Sequence, residues 1–395
     1  MMNDVNNVGI DHIAAYIPNQ YLSLNELARA RNVEEKKYLD GIGVQQMSIP
    51  SYAEDIVSMG ANAGLRLLAE SGVDPQDIGL LIVGTESSTD RAKPDATHIH
   101  SLLGISESCR VFNITHACAG ANYGLVTALD WICANSTRKY ALIIASDIAL
   151  YGVGSAGEPT QGAGAVALLI SRAPRLMRIK ELSTYSSNVY DFWRPLGEEY
   201  PIVKGVYSVQ CYLKAAINCF KKVNINIENQ FVYHTPYPKL VQKVHAEICS
   251  LMNMSEEEKL SHYEKKVAPS NLFSAKIGNT YTASLWFALL GSLESDLSFL
   301  PEVNNGIYLF SYGSGSGAIL MEGIKSDAWI EVASKFNYNN VLAARKKLSV
   351  EEYEDTLKNQ NYNETTRQES GMFIYIGCEN NQRKYKYIEP KKYEI

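Results

Sequence analysis

The chain has 395 residues, of which 46% are hydrophobic and 20% charged, with a formal net charge of −6. That length suits two domains or one large layered unit, and the acidic balance argues against a nucleic-acid surface. No apolar stretch approaches the roughly 20 residues that span a bilayer, no basic-then-apolar leader is seen, and seven scattered cysteines fit a reducing compartment better than a disulfide scaffold, so a soluble cytoplasmic protein is expected.

Residues 8–16 read as a strand, and 53–71 as an amphipathic helix ending near Gly72. The run Ile78-Gly-Leu-Leu-Ile-Val-Gly84 is continuously apolar, the pattern of a strand buried on both faces. A helix over 96–103, a strand over 110–114 and a long small-residue helix over 118–135 follow, then two buried strands at 140–145 and 164–170. The second half repeats the logic, with a helix over 206–222, a strand 230–234 ending on His234, and a helix over 237–252. A helix over 279–293 and strands at 306–312 and 317–322 complete the core, and 372–376 is strand-like. Strands alternating with helices predict an α/β fold with a mixed or parallel sheet. The order strand, chemical residue, helix occurs at both Cys118 and His234. It predicts a duplicated core, with one half over 1–171 and the other over 172–395. Residues 253–269 read as a charged helical surface insertion, and the lysines near the C-terminus as a solvated face.

Three residues carry most of the chemical interest. Cys118, in Asn113-Ile-Thr-His-Ala-Cys-Ala-Gly120, falls at the start of a helix, where backbone N–H groups and the helix dipole favour the thiolate. Glu86 follows a buried strand, at the carboxyl end where α/β sheets place their chemistry. Burial there raises a carboxyl pKa and suits it to act as a general base. His234 closes the strand of the second half. Each also has a plain reading, as an inert core thiol, a turn carboxylate and a hydrogen-bonded structural histidine. Gly152-Val-Gly-Ser-Ala-Gly157 fits the dinucleotide G-x-G-x-x-G string, but a second Gly/Pro-rich stretch and a strand follow it where the fingerprint needs a helix. Gly313-Ser-Gly-Ser-Gly317 is a weak phosphate motif that lets backbone approach a ligand. The other cysteines, Cys109, Cys133, Cys211, Cys219, Cys249 and Cys378, show no CxxC or paired Cys/His spacing, so no metal site is expected.

With these residues in place the chain resembles the 3-hydroxy-3-methylglutaryl-CoA synthases, bacterial type, of the thiolase superfamily. The resemblance runs through Gly84-Thr-Glu86-Ser, Ala117-Cys-Ala-Gly120, Gly157-Glu-Pro-Thr-Gln-Gly-Ala-Gly164, Tyr190-Asp-Phe-Trp-Arg-Pro195 and Tyr200-Pro-Ile-Val. It continues in His234-Thr-Pro-Tyr-Pro-Lys239, Gly278-Asn-Thr-Tyr-Thr282 and Phe310-Ser-Tyr-Gly-Ser-Gly315. It implies a duplicated thiolase-like fold layered α-β-α-β-α with mixed sheets, and a homodimer. It also implies condensation of acetyl-CoA with acetoacetyl-CoA through an acetyl-cysteine, with coenzyme A thioesters as substrates and no further cofactor. Residue by residue, it implies Cys118 as nucleophile, Glu86 as general acid and base, and His234 as the contact to the acetoacetyl thioester. Lys239 and Lys243 match coenzyme A contacts, Asn279 and Ser314 match acyl-substrate contacts, and Thr160 and Ser208 match further ligand-lining positions. Where the family has an acidic residue two before the cysteine and an aromatic one after it, this chain has His116 and Ala119. The smaller Ala119 is expected to leave room beside the nucleophile. A β-branching synthase acting on acetoacetyl-acyl carrier protein would use the same residues and is the alternative reading.

Overall fold

The structure, a computed structural model, describes residues 7–135, 139–298, 306–358 and 372–389. Nine strands form its main sheet: β1 (Val8–Tyr16), β2 (Ile78–Gly84), β3 (Arg110–Ile114), β4 (Tyr140–Ala149), β5 (Gly162–Arg172), β6 (Met177–Ser186), β7 (Gln230–Tyr233), β8 (Ile307–Gly313) and β9 (Gly317–Lys325). The helices that matter here are α1 (Ile56–Ser71), α2 (Asp95–Leu102), α3 (Gly120–Ala134), α4 (Gly205–Phe220), α5 (Pro238–Leu251), α6 (Glu256–Lys266), α7 (Asn271–Ile277) and α8 (Ser284–Ser298).

Strand order is β7-β8-β9-β6-β1-β5-β4-β2-β3. The sheet is mixed: β2 runs parallel to β3 and β4, and β7 parallel to β8, whereas the other pairs are antiparallel. The β1–β6 junction rests on only two register pairs, Gly9 with Arg178 and Ile10 with Met177. It therefore acts as a seam between two half-sheets.

Period-2 geometry sends neighbouring side chains of each buried strand to opposite faces. Leu80 and Ile82 join the central core with Ala121, Leu125 and Ala128 of α3 and Leu285, Leu289 and Leu293 of α8. Leu81 and Val83 point the other way, into a core with Ile56, Leu67 and Leu68 of α1 and Ala96 and Ile99 of α2. In the second half, Ile307 and Leu309 face the central core. Tyr308 and Phe310 face Ala215 and Phe220 of α4 and Leu240 and Val244 of α5. Helices α3 and α8 thus lie between the half-sheets, with α1 and α2 outside one and α4 and α5 outside the other. The five layers are those expected, α-β-α-β-α.

Local signals place most element ends. A reciprocal cap between Asp55 and Ser58 starts α1, and Gly72 at φ 71° stops it. The insertion at 253–269 contains α6, capped by Ser255 and Glu258, with no buried residue of its own. Three departures concern the site. The strand that ends before His234 stops at Tyr233, the helix expected from 118 starts at Gly120, and the one expected from 279 starts at Ser284 after a short 3-10 turn. Strand β6 was not expected, because Arg178, Lys180 and Glu181 mask its alternation, although Met177 and Ile179 are buried. Of the lysines near the C-terminus, Lys391 and Lys392 lie outside the described residues.

Candidate active site

Gly84, the last residue of β2, sets the first contact of the site. A Cβ there would lie 2.2 Å from the backbone nitrogen of Ala121, so only glycine lets the start of α3 reach the strand end. That approach brings Cys118, on the turn just before α3, against Glu86, on the turn just after β2. Cys118 Sγ lies 3.5 Å from Glu86 Oε1. The turn is a tight one: Ala117 takes φ 41°, a left-handed conformation few non-glycine residues adopt.

A second carboxylate lies beneath the pair. Asp147, fully buried on β4, accepts the backbone N–H of Glu86 at 2.9 Å and the hydroxyl of Thr85 at 2.9 Å on one oxygen. Its other oxygen accepts the hydroxyl of Thr282 at 2.7 Å and the Thr282 N–H at 3.1 Å. Burial, together with the Asp147 charge, raises Glu86 to about 8. The thiol of Cys118 is also pushed well above its usual range, first by burial and then by the Glu86 and Asp147 carboxylates. The expected stabilisation of the thiolate by the helix N-terminus is therefore overridden in the resting site. A helix end offers about half a positive charge, and here it faces two carboxylates in a desolvated pocket.

An aromatic wall closes around the sulfur. Cys118, Ala149 and Tyr281 are buried together, with Tyr151 and Phe192 packed on them. Tyr151 stands edge-on to both Tyr281 and Phe192, at 6.1 and 6.3 Å between centroids. Asn279 is fixed within this wall. Its Oδ1 accepts the Tyr281 N–H and the Ser284 hydroxyl, both at 2.9 Å, and its Nδ2 reaches the Tyr151 hydroxyl at 3.4 Å. The small Ala119 packs against the backbone of Gly313 on its hairpin side. Ala119 is fully buried, and a Cβ on Gly313 would stand 2.8 Å from its methyl group. His116, half-buried against the ring of Tyr123 at 4.8 Å, is kept neutral by desolvation.

The second half contributes through the β8–β9 hairpin. A Cβ on Gly313 would lie 2.6 Å from the His116 carbonyl oxygen, and one on Gly317 would lie 2.6 Å from His116 Nε2. These two glycines let the hairpin tip, with Ser314 on it, sit on the segment that carries Cys118. Asp191, fully buried, holds the tip from behind by accepting the Tyr312 hydroxyl at 2.6 Å and the Gly315 N–H at 2.9 Å. Beside Asp191, Phe192 joins the aromatic wall and Arg194 donates to the carbonyl of Glu86. His234 is 2% exposed. Its N–H donates to Phe310 of β8 at 2.8 Å, and its carbonyl accepts the Tyr212 hydroxyl at 2.7 Å. Burial lowers its imidazole to about 3, so the ring is neutral, and Nδ1 has no hydrogen-bond partner among the described residues.

Thr160 is tied through its carbonyl to the Asn279 N–H at 2.9 Å. Ser208 lies half-buried in the first turn of α4. Lys239 and Lys243 share one face of α5, the first half-buried and the second exposed. Gly152 and Gly154, at φ 87° and 73°, lie in a loop between β4 and β5 with no helix of the dinucleotide type. Sequence reasoning about single residues overlooked Asp147, Tyr151, Asp191, Phe192, Arg194 and Tyr281. A buried aspartate at the end of an apolar strand was a usable signal for Asp147, since an uncompensated charge there is costly.

The sequence family described as "Hydroxymethylglutaryl-coenzyme A synthase N terminal" matches residues 4–174, and that described as "Hydroxymethylglutaryl-coenzyme A synthase C terminal" matches residues 178–262 and 249–371. A hydroxymethylglutaryl-CoA synthase of Enterococcus faecalis is 37% identical over 355 residues, 88% of this chain and 90% of its own length. The solved structure of MvaS in complex with 3-hydroxy-3-methylglutaryl coenzyme A is 34% identical, with a TM-score of 0.90 over 97% of this chain and 99% of that one. The HMG synthase of the curacin biosynthetic pathway shares the fold at 24% identity, with a TM-score of 0.88 over 96% of this chain and 100% of that one.

Proposed function

This chain belongs to the hydroxymethylglutaryl-CoA synthase family, and we propose that its Cys118 carries the acetyl group that is joined to acetoacetyl-CoA. The protein is an acyltransferase of the mevalonate pathway that condenses acetyl-CoA with acetoacetyl-CoA and water to give 3-hydroxy-3-methylglutaryl-CoA and coenzyme A. The observation that carries the assignment of roles is the contact of Cys118 Sγ with Glu86 Oε1 at 3.5 Å, with Glu86 held at about 8. A carboxyl poised near neutrality can both take and return a proton.

In this reading Glu86 moves one proton in each of three steps. It takes the thiol proton as Cys118 attacks acetyl-CoA, then returns it to the departing coenzyme A thiolate. It next takes a methyl proton from acetyl-Cys118. The resulting enolate attacks the C3 carbonyl of acetoacetyl-CoA, and Glu86 protonates the new alkoxide. Finally it draws a proton from the water that hydrolyses the thioester, and the proton passes to the leaving Cys118 sulfur. His234, neutral and with a buried nitrogen unpaired in the protein, supports a role as hydrogen-bond partner of the acetoacetyl thioester, because buried polar groups find partners. Asn279, Ser314, Thr160 and Ser208 line the acyl and pantetheine path in this proposal. Lys239 and Lys243 meet the phosphates of coenzyme A. These steps call for no metal or redox cofactor.

A homodimer is proposed as well. The outer edge of β3 pairs with no strand among the described residues, and an open edge is a ready surface for a second chain. No helix among the described residues is long and apolar enough to cross a membrane, which agrees with the proposed cytoplasmic location. The decisive assay follows loss of acetoacetyl-CoA with and without acetyl-CoA, with Cys118→Ala as the blank. Acetyl-CoA-dependent loss with 3-hydroxy-3-methylglutaryl-CoA as product is the expected result. An enzyme that is acetylated yet leaves free acetoacetyl-CoA untouched would overturn the free-coenzyme A acceptor and favour a carrier protein.

A further inference from the structure

We propose that His245 and Cys249 of α5 and His262 of α6 form a binding site for a zinc-class divalent cation that fastens the surface helix to the body. The three ligand atoms lie within 4.8 Å of one another. His245 and Cys249 are four apart on one helical turn, so they share a face. This spacing is a paired Cys/His pattern that the search of the sequence overlooked. The third ligand comes from the helix packed against them.

The surroundings of the two rings match what a cation requires. His262 Nε2 lies 2.9 Å from the carbonyl of Ile227, which can only accept, so Nε2 carries the proton and Nδ1 presents a lone pair. That lone pair points at His245 Nε2, 2.8 Å away. His245 Nδ1 in turn faces the Tyr233 hydroxyl at 2.9 Å. Metal-ligating histidines have such an outer partner on the second ring nitrogen. Without a cation, the His245 Nε2–H bridges the rings. On binding, that proton moves to His245 Nδ1, where the Tyr233 oxygen accepts it, and the Cys249 thiol gives its proton to solvent. A tetrahedral zinc with Zn–N of about 2.0–2.1 Å sets its nitrogens about 3.3 Å apart. The rings must therefore open by roughly half an ångström. His262 is only half-buried, so water can take the fourth position. The need for such a fastening is visible in α6, which buries no residue of its own.

The test uses full-length protein stripped with a chelator and titrated with Co(II). The expected result is one equivalent bound, with a sulfur-to-cobalt charge-transfer band in the near-ultraviolet that excess Zn(II) abolishes. His262→Ala, on a surface helix and tolerant of change, should weaken binding at least about tenfold, and Cys249→Ser should remove the charge-transfer band. Zn(II) should raise the melting temperature of wild type but not of His262→Ala. Equal affinity of wild type and a folded His262→Ala, or a charge-transfer band that survives Cys249→Ser, would overturn the site.

Discussion

Asp147 Oδ1 accepts the backbone N–H of Glu86 at 2.9 Å, so one buried carboxylate both anchors the Glu86 turn and opposes ionisation of its side chain. Asp147→Asn removes the charge and turns an amide N–H toward one set of donors. The Glu86 carboxyl should then titrate at lower pH, and the acidic limb of kcat/KM should move down with it. Stability should fall by about 1–3 kcal/mol, the cost of buried donors left unpaired. If the limb of a folded Asp147→Asn stays where it is, another group holds Glu86 up.

The raised Glu86 pKa also predicts how stability changes with pH. Its ordinary value of 4.5 rises to about 8 in the folded protein. Between those values the folded state holds a proton that the unfolded state has lost, so stability falls as pH rises through this window. Glu86→Gln cannot ionise and escapes that loss. Its melting temperature relative to wild type should therefore climb from pH 5 to pH 8.5. A constant difference across that range would show that Glu86 is not raised. The same variant should acetylate Cys118 more slowly, seen by mass spectrometry, because the thiol proton has lost its acceptor, while condensation falls by roughly 10²–10⁴-fold.

His234 separates the two half-reactions. With its imidazole lowered to about 3, it should add no inflection to the rate between pH 5 and 8. His234→Ala should leave acetylation of Cys118 near the wild-type rate and slow condensation with acetoacetyl-CoA by roughly 10²–10³-fold. Equal losses in both half-reactions would instead place His234 on the acetylation step.

Gly313 tests whether the second half must press on the first. A Cβ there meets the His116 carbonyl at 2.6 Å and the Ala119 methyl at 2.8 Å, and neither can swing away. Gly313→Ala should destabilise the protein by about 1–3 kcal/mol through overpacking. It should also reduce condensation more than acetylation, since it shifts Ser314 and the hairpin while leaving the Cys118–Glu86 contact in the first half. A variant with wild-type condensation would show that the hairpin tip does not position substrate.

The motifs quoted from the sequence differ in how much of their role they disclosed. In Tyr190-Asp-Phe-Trp-Arg-Pro195 the order of residues is plain, but only the folded chain shows Asp191 gripping the β8–β9 hairpin, Phe192 on the aromatic wall and Arg194 on the Glu86 carbonyl. Gly157-Glu-Pro-Thr-Gln-Gly-Ala-Gly164 likewise proves to be a brace. Glu158 pairs with Arg31 at 2.8 Å, and Gln161 Oε1 accepts the Tyr151 N–H at 2.7 Å. Long-range partners of this kind leave no periodic trace along the chain.

The sequence by itself determined the α/β class and marked Glu86, Cys118 and His234 as the residues to watch, while the five layers were implied only by the family resemblance. Burial on both faces writes continuous apolar runs, and strand ends followed by helices write a local pattern. Only the tertiary structure decided the protonation state of the site. Cys118 begins a helix that should favour its thiolate, yet Glu86 and Asp147, 32 and 29 residues away on one side and the other, sit close enough in a dry pocket to reverse that preference. A pKa is set by every charge and every solvent-free surface within a few ångströms, and the chain order does not record which residues those are.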